Sequence, residues 1–392
     1  MSSTVAISRA RVRAYDAVLP TEQKKIAELN ALAFRCLENC FEPKRRLFYR
    51  RLPSNGLELH REVLSSQSTL VALLGLHSFS EAGANTGLDL SNILAAVLED
   101  ASWISGPRDW GLLIWACALC TPDSLGTIFS RFADGDFFNR RNIRECRTRD
   151  LAILLAALAH MQIVAIGNSA EVADLAVEVY HGIEERQSES GIFGYKGRSH
   201  FVRSLWHERF GAVSDQALCI YSLAKFAEMF EVEEPLDAAI ACADALCRLQ
   251  GPLGQWWCLY DKKRGCVARA YPVLSECQGG LAPMALLALA NVTGMSFDEP
   301  ISKGLRWFFG ANEAAIGLAG RSSESIWESI DVRGSSAMAR NYMSGFMGIP
   351  RTIAPEALVV CRNAQVDVFG WMLFAFGGFG LDHRTTGSAT VL

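Results

Sequence analysis

Leu246-Cys247-Arg248-Leu249-Gln250-Gly251-Pro252-Leu253-Gly254-Gln255-Trp256 is the stretch on which the fold turns. An amphipathic helix runs out at Gln250, a Gly-rich turn follows, and an aromatic residue anchors the exit. Ile183, Gln187, Gly191 and Phe193 repeat the same spacing earlier in the chain. Self-similarity at this period is the mark of stacked supersecondary units, so the expectation is a chain of helical hairpins rather than a sheet.

From about Ser65 onward two kinds of helical pattern alternate. Gln67 to Leu76, Asp109 to Leu119, Asp150 to Ala159, Asp215 to Phe226 and Gln278 to Ala290 are almost wholly apolar after a polar start. Leu90 to Leu98, Leu125 to Phe132, Ala170 to Gln187, Leu236 to Gln250 and Ile301 to Phe309 keep charges on one side. A helix apolar all round must be buried, whereas an amphipathic one faces water. The pattern therefore predicts an all-α (α/α)5-6 toroid, an inner ring wrapped by an outer one, with Val366 to Phe376 as a sixth inner helix. Residues 1–64 read as an N-terminal helical extension containing a helix over Glu22 to Phe41, residues 65–379 as the toroid, and 380–392 as a flexible tail. Ala311 to Arg362 is too long and weakly periodic for a connector and reads as a lid.

The repeat resembles the QW motif of the terpenoid cyclase and protein prenyltransferase superfamily, carried here by Leu246, Gln250, Gly254 and Trp256 and more weakly by Ile183, Gln187, Gly191 and Phe193. That resemblance implies an α/α toroid in which the Gln caps the next helix and the aromatic stacks on it. The segment Gly254 to Asp261, with Tyr271 to Gln278, is also similar to uncharacterised bacterial toroid proteins, and six-hairpin glycosidases and sugar epimerases share the rhythm. Fold alone does not choose among chemistries. The chain departs from the resembled families where they do chemistry. It has no Asp-x-Asp-Asp and no Asp-Asp-x2-Asp, Ser275-Glu276-Cys277 lacks the prenyltransferase Asp-x-Cys step, and no Cys-His pair occurs.

Composition sets the outer bounds. Across 392 residues half are apolar and a fifth charged, a core-rich balance, and the net charge of −4 supplies no basic field for nucleic acid. The longest apolar runs, Leu112 to Cys120 and Leu151 to Ala159, are well short of the roughly 20 residues a bilayer span needs. The 12 cysteines lie mostly in helical patterns, which fits free thiols in a reducing cytoplasm. Cys117-x2-Cys120 has the spacing of a metal half-site but no second pair, so it reads as core.

In a toroid the inner helices start at one end, and their first turns here hold Asp109, Asp150, Asp215 and Gln278. Three carboxylates at one cavity mouth serve either as helix caps or as an acid-base site. Asp215 is the first candidate acid and Asp261 a further one. Trp257, Tyr260, Trp206 and Tyr271 are candidates to face the cavity, and Arg198, Arg203 and Arg209 to grip an anion. The leading expectation is an isoprenoid-cyclising enzyme working by carbocation chemistry on a small-molecule substrate, without a cofactor, or with Mg2+ if that substrate is a diphosphate. A carbohydrate-active toroid using rim carboxylates is the alternative, and a non-catalytic binding scaffold the third. An apolar aromatic chamber marks the first and a polar cleft with paired carboxylates the second.

Overall fold

The computed structural model describes residues 22–53, 63–133, 143, 145–164, 169–196, 208–319, 325–334 and 353–379. Their helices are α1 (Gln23–Cys40), α2 (Ser66–Glu81), α3 (Leu90–Glu99), α4 (Pro107–Cys120), α5 (Leu125–Ala133) and α6 (Thr148–Val164), then α7 (Ser169–Glu184), α8 (Val213–Phe230), α9 (Glu234–Arg248), α10 (Ala282–Thr293), α11 (Asp298–Phe308) and α12 (Val366–Phe376). A wide π-type turn, Cys277–Leu281, leads into α10. Local chemistry starts and stops these rods. Ser65 Oγ accepts the Ser68 amide at 3.1 Å and Asp89 accepts that of Asn92 at 3.0 Å, each meeting an amide the helix leaves unpaired. Left-handed Gly294 and Glu231 end α10 and α8.

Helices α2, α4, α6, α8, α10 and α12 pack each on the next, and α12 returns onto α2. The ring closes. At the closing seam two glycines let the backbones touch: a Cβ on Gly75 would lie 2.3 Å from the Gly370 carbonyl oxygen, and one on Gly370 would lie 2.5 Å from that of Val71. The inner helices are buried on every side, as with Leu151 to Leu158 of α6. The outer helices α3, α5, α7, α9 and α11 cover them, and α1 takes the corresponding place against α12. Asn30 of α1 donates its side-chain amide to the Phe376 carbonyl at 2.7 Å. Among the described residues the toroid thus has six inner and six outer helices, and the helix of the 1–64 segment is one of them.

The repeat that predicts the toroid is visible as geometry. Gln187 Nε2 donates to the carbonyls of Gly191 (3.0 Å) and of Ala238 in α9 (2.8 Å); Gln250 Nε2 donates to those of Gly254 (3.2 Å) and of Pro300 in α11 (2.9 Å). The Gln binds a carbonyl of the next outer helix, rather than capping an amide at its start. Gly191 and Gly254 sit at φ 84° and 105°. A Cβ there would lie 2.3 Å from Ala241 O and 2.2 Å from Lys303 O, so backbone angle and space both demand glycine. A second Gln, at the start of the following inner helix, holds the aromatic residue. Gln216 exchanges two bonds with the Phe193 backbone (2.8 and 2.9 Å), and Gln278 accepts from Trp256 N at 3.0 Å while donating to Gly254 O and Gly304 O.

Among the described residues ten short strands decorate the connections. β1 (Phe41–Glu42) pairs β2 (Leu47–Phe48), and β3 (Arg51–Pro53) pairs β10 (Asn363–Gln365). β4 (Phe210–Ala212), β5 (Leu259–Asp261) and β6 (Cys266–Arg269) form one antiparallel sheet; β7 (Val273–Leu274), β8 (Ser329–Val332) and β9 (Leu358–Cys361) form another. β4 and β10 run directly into α8 and α12, so these sheets frame the end of the ring where inner helices begin. Part of the expected lid, Ala311 to Arg362, is therefore sheet; residues 320–324 and 335–352 lie outside the described residues, as does the expected tail, 380–392.

Inside the ring the aromatics stack on one another. Trp115 of α4 lies 5.2 Å from His160 of α6, 5.3 Å from Tyr221 of α8, and 5.8 and 5.3 Å from Trp371 and Phe374 of α12. Trp115 and Trp371 are almost fully buried, and His160 Nε2 and Tyr221 Oη lie 2.9 Å apart. Four inner helices meet in this plug.

Candidate functional site

The inner helices α4, α6 and α8 begin in the same register. Pro107-Arg108-Asp109, Thr148-Arg149-Asp150 and Val213-Ser214-Asp215 are their first three residues, and α12 begins Val366-Asp367. With Glu276, at the entrance to the π-type turn, these side chains gather at one mouth of the ring. Their mutual electrostatics show the convergence: Arg108 feels Arg149, Asp367, Glu276 and Asp150, while Arg149 feels Glu276, Asp215 and Asp367.

Each expected carboxylate has a different environment. Asp109 is fully engaged: Oδ1 accepts from Gln67 Nε2 at 2.6 Å, and Oδ2 accepts from Ser105 N and Oγ at 2.9 and 2.8 Å. It ties α2 to α4. Asp215 is 1% exposed, and its Oδ2 accepts from the Ala212 amide at 2.9 Å. Burial pushes its pKa up to about 6, against the pull of the Ala212 amide and Arg149 and with help from Asp150. Asp150, half-buried, is also raised by burial and by Asp109, opposed by Arg108, Arg147 and Arg149. An acid titrating near neutrality beside a second perturbed carboxyl is the arrangement that moves protons.

The cations are built into the same wall. Arg149 Nη2 donates to Glu276 Oε1 at 3.0 Å; burial works against its charge, but Glu276, then Asp215, outweigh it and raise its pKa. Burial lowers the Arg108 pKa, and its neighbour Arg149 lowers it further. The Arg147 guanidinium lies 5.5 Å over the Tyr195 ring, whose hydroxyl pKa burial raises. Among the described residues no group of three His, Cys, Asp or Glu side chains is placed to hold a metal ion. No helix among them is long and apolar enough to cross a membrane.

Other expected site residues lie elsewhere or do other work. Asp261 is fully buried in β5, where Oδ2 accepts from Arg209 Nε at 3.0 Å and Oδ1 from the Lys263 amide at 3.1 Å. It pins a hairpin, and Arg209 is its counter-ion rather than a free anion receptor. Tyr260 is also fully buried, in a strand where it pairs in register with Gly211. Trp257 packs edge-on to Tyr271 at 5.8 Å, and Tyr271 Oη donates to Glu313 Oε1 at 2.7 Å. Glu313 also accepts from Trp307 Nε1 at 2.8 Å, which makes this a structural knot around α11. Gln278 is consumed by the repeat. Arg198, Arg203 and Trp206 lie outside the described residues. The rim residues the sequence reading passed over are Arg108, Arg149, Glu276 and Asp367. The recurring Arg-Asp step, Arg108-Asp109 and Arg149-Asp150, was the available signal.

Neither a family model nor a curated protein sequence matches the chain. Solved structures do match in fold. A sugar epimerase from a ruminal bacterium superposes with a TM-score of 0.62 at 10% identity, covering 91% of this chain and 100% of that one. Cellobiose 2-epimerase from Bacillus thermoamylovorans gives 0.60 at 9%, covering 96% and 99%. A glycosyl hydrolase family 88 protein from Bacteroides vulgatus gives 0.58 at 10%, covering 90% and 98%. The chain is thus an α/α toroid of the architecture found in carbohydrate-active enzymes. At such identities the likeness is one of fold, and these neighbours lend no support to the terpenoid cyclase relation that the repeat suggested.

Proposed function

We propose that the protein is a carbohydrate-active enzyme whose acid-base chemistry takes place at the charged mouth of the ring. Asp215 is the acid, Asp150 its partner carboxylate, and the Arg149–Glu276 pair holds the wall against which the sugar lies. The observation that carries this reading is Asp215 itself, a carboxyl buried among charged neighbours and poised at about 6. Around neutrality both of its protonation states are populated, as proton transfer to or from a sugar oxygen or carbon requires. The sugar epimerase, hydrolase and lyase titles among the fold neighbours support the substrate class.

Carbocation cyclisation of an isoprenoid fits the observations less well. Its aromatic chamber was to be lined by Trp257 and Tyr260, yet Tyr260 is enclosed and the ring interior is occupied by Trp115, Tyr221, Trp371 and Phe374. Mg2+ entered only with a diphosphate substrate and leaves the proposal with it.

The test is a panel of reducing disaccharides, neutral oligosaccharides and unsaturated uronides incubated with purified protein, with products followed by NMR and chromatography. Turnover that falls by at least about a hundredfold in Asp215→Asn is the expected result. Silence on every sugar, or turnover indifferent to Asp215→Asn, overturns the proposal.

A further inference from the structure

Of the charged groups at the ring mouth, Arg108 stands out by what it does not do. It occupies the second position of α4, as Arg149 does in α6, so register and neighbours are shared. Arg149 has a direct partner, Glu276, at 3.0 Å. Arg108 has no hydrogen bond or ion pair among the described residues, and its Nε is buried without an acceptor. Asp367, Glu276 and Asp150 are near enough to be felt by its charge, yet none bonds to it. Arg108 is half-buried, and the part of its guanidinium withdrawn from water, Nε, is left unbonded, a cost that a ligand drawing the group into a full set of bonds would offset. A second unfilled group faces the same charges: Asp367 Oδ1, at the start of α12, is buried without a donor.

The two unpaired groups are complementary in kind. Arg108 lacks an anionic acceptor, and Arg149 beside it adds positive potential to the same spot. Asp367 lacks a donor, which a hydroxyl supplies and a carboxylate does not. One ligand that offers both is a sugar carrying an acid group and a neighbouring hydroxyl. We propose that Arg108 is the anion-recognising residue of the site and that the sugar bound there is a uronate, its carboxylate on the Arg108 guanidinium and a ring hydroxyl on Asp367 Oδ1. This rests on the carbohydrate reading above and narrows it to acidic sugars. Arg108 is a specificity residue on this view, and proton transfer stays with Asp215.

Calorimetric titration of the full chain with methyl glucuronide, methyl glucoside and acetate tests it, using wild type, Arg108→Gln, Arg108→Lys and Asp367→Asn, each checked for native melting. The glucuronide is expected to bind at least about tenfold more tightly than the glucoside. Arg108→Gln abolishes that preference, Arg108→Lys keeps part of it, and Asp367→Asn weakens both sugars. Equal binding of glucoside and glucuronide, or a preference that survives Arg108→Gln, refutes the uronate assignment and leaves the carbohydrate reading standing. Acetate binding as tightly as the glucuronide, or no binding by either sugar, overturns both.

Discussion

Replacing Asp215 by Asn should make the protein more stable above pH 7 while removing its activity. The carboxyl's pKa rises from 3.8 to about 6 on folding, chiefly through burial. A shift of about two units corresponds to ~3 kcal/mol between the protonation states. Because the folded state holds the proton more tightly, stability contributed by this group is highest below pH ~4, declines as pH climbs towards ~6, and is flat beyond. Asn carries no charge to desolvate and keeps a carbonyl oxygen for the Ala212 amide, 2.9 Å away in the native protein. Allowing ~1 kcal/mol for a weaker cap, the variant gains about 2 kcal/mol at pH 8 and almost nothing at pH 4. With an unfolding entropy of about 2 cal/mol/K per residue, that is a rise in Tm of about 2–3 °C for a chain of this length. Thermal melts of both proteins across pH 4 to 8, followed by circular dichroism, measure it. A variant that melts below wild type at pH 8, or a difference that does not change with pH, refutes the electrostatic account of Asp215.

Gln278→Ala strands the Trp256 amide and the Gly254 and Gly304 carbonyls, and should lower stability by about 2–4 kcal/mol in denaturant titrations without changing which sugars bind. Gly254→Ala forces a side chain into φ 105° against Lys303 O; a loss of about 3 kcal/mol is expected, and a loss below ~1 kcal/mol would mean the turn relaxes freely. Trp115→Ala hollows the plug between α4, α6, α8 and α12 and should cost about 3–5 kcal/mol. Asp261→Asn removes the counter-ion of Arg209; it should depress the melting temperature yet leave the pH-rate profile unmoved, in contrast to Asp215→Asn.

The toroid was legible because its signals are local. A Gln, a Gly and an aromatic residue at fixed offsets specify one connection, and solid apolar helices alternating with amphipathic ones specify two layers. First-turn carboxylates could be placed at one mouth for the same reason, since Asp109, Asp150 and Asp215 share a register that periodicity alone reveals. Nothing in the sequence marks Tyr260, a candidate to face the cavity, and Asp261, a candidate acid, as strand residues, because β5 is only three residues long, too short for alternation to declare a strand. Arg108 and Arg149 were overshadowed by the aspartates beside them, as a cation at a helix start opposes the dipole and looks incidental until neighbouring helices supply its counter-charges. The place of α1 against α12 had no signature at all, because apolar stripes do not name their partners.

That last contact governs the order in which the molecule is completed. The amide of Asn30 reaches a carbonyl 346 positions later in the chain, so on the ribosome α1 emerges long before anything exists for it to cover. Its greasy flank, Ile26, Leu29, Ala33 and Leu37, must wait through the synthesis of every other hairpin. Nascent chains stalled before α12 should therefore be chaperone clients, and the clasp of first helix on last is the step at which they cease to be.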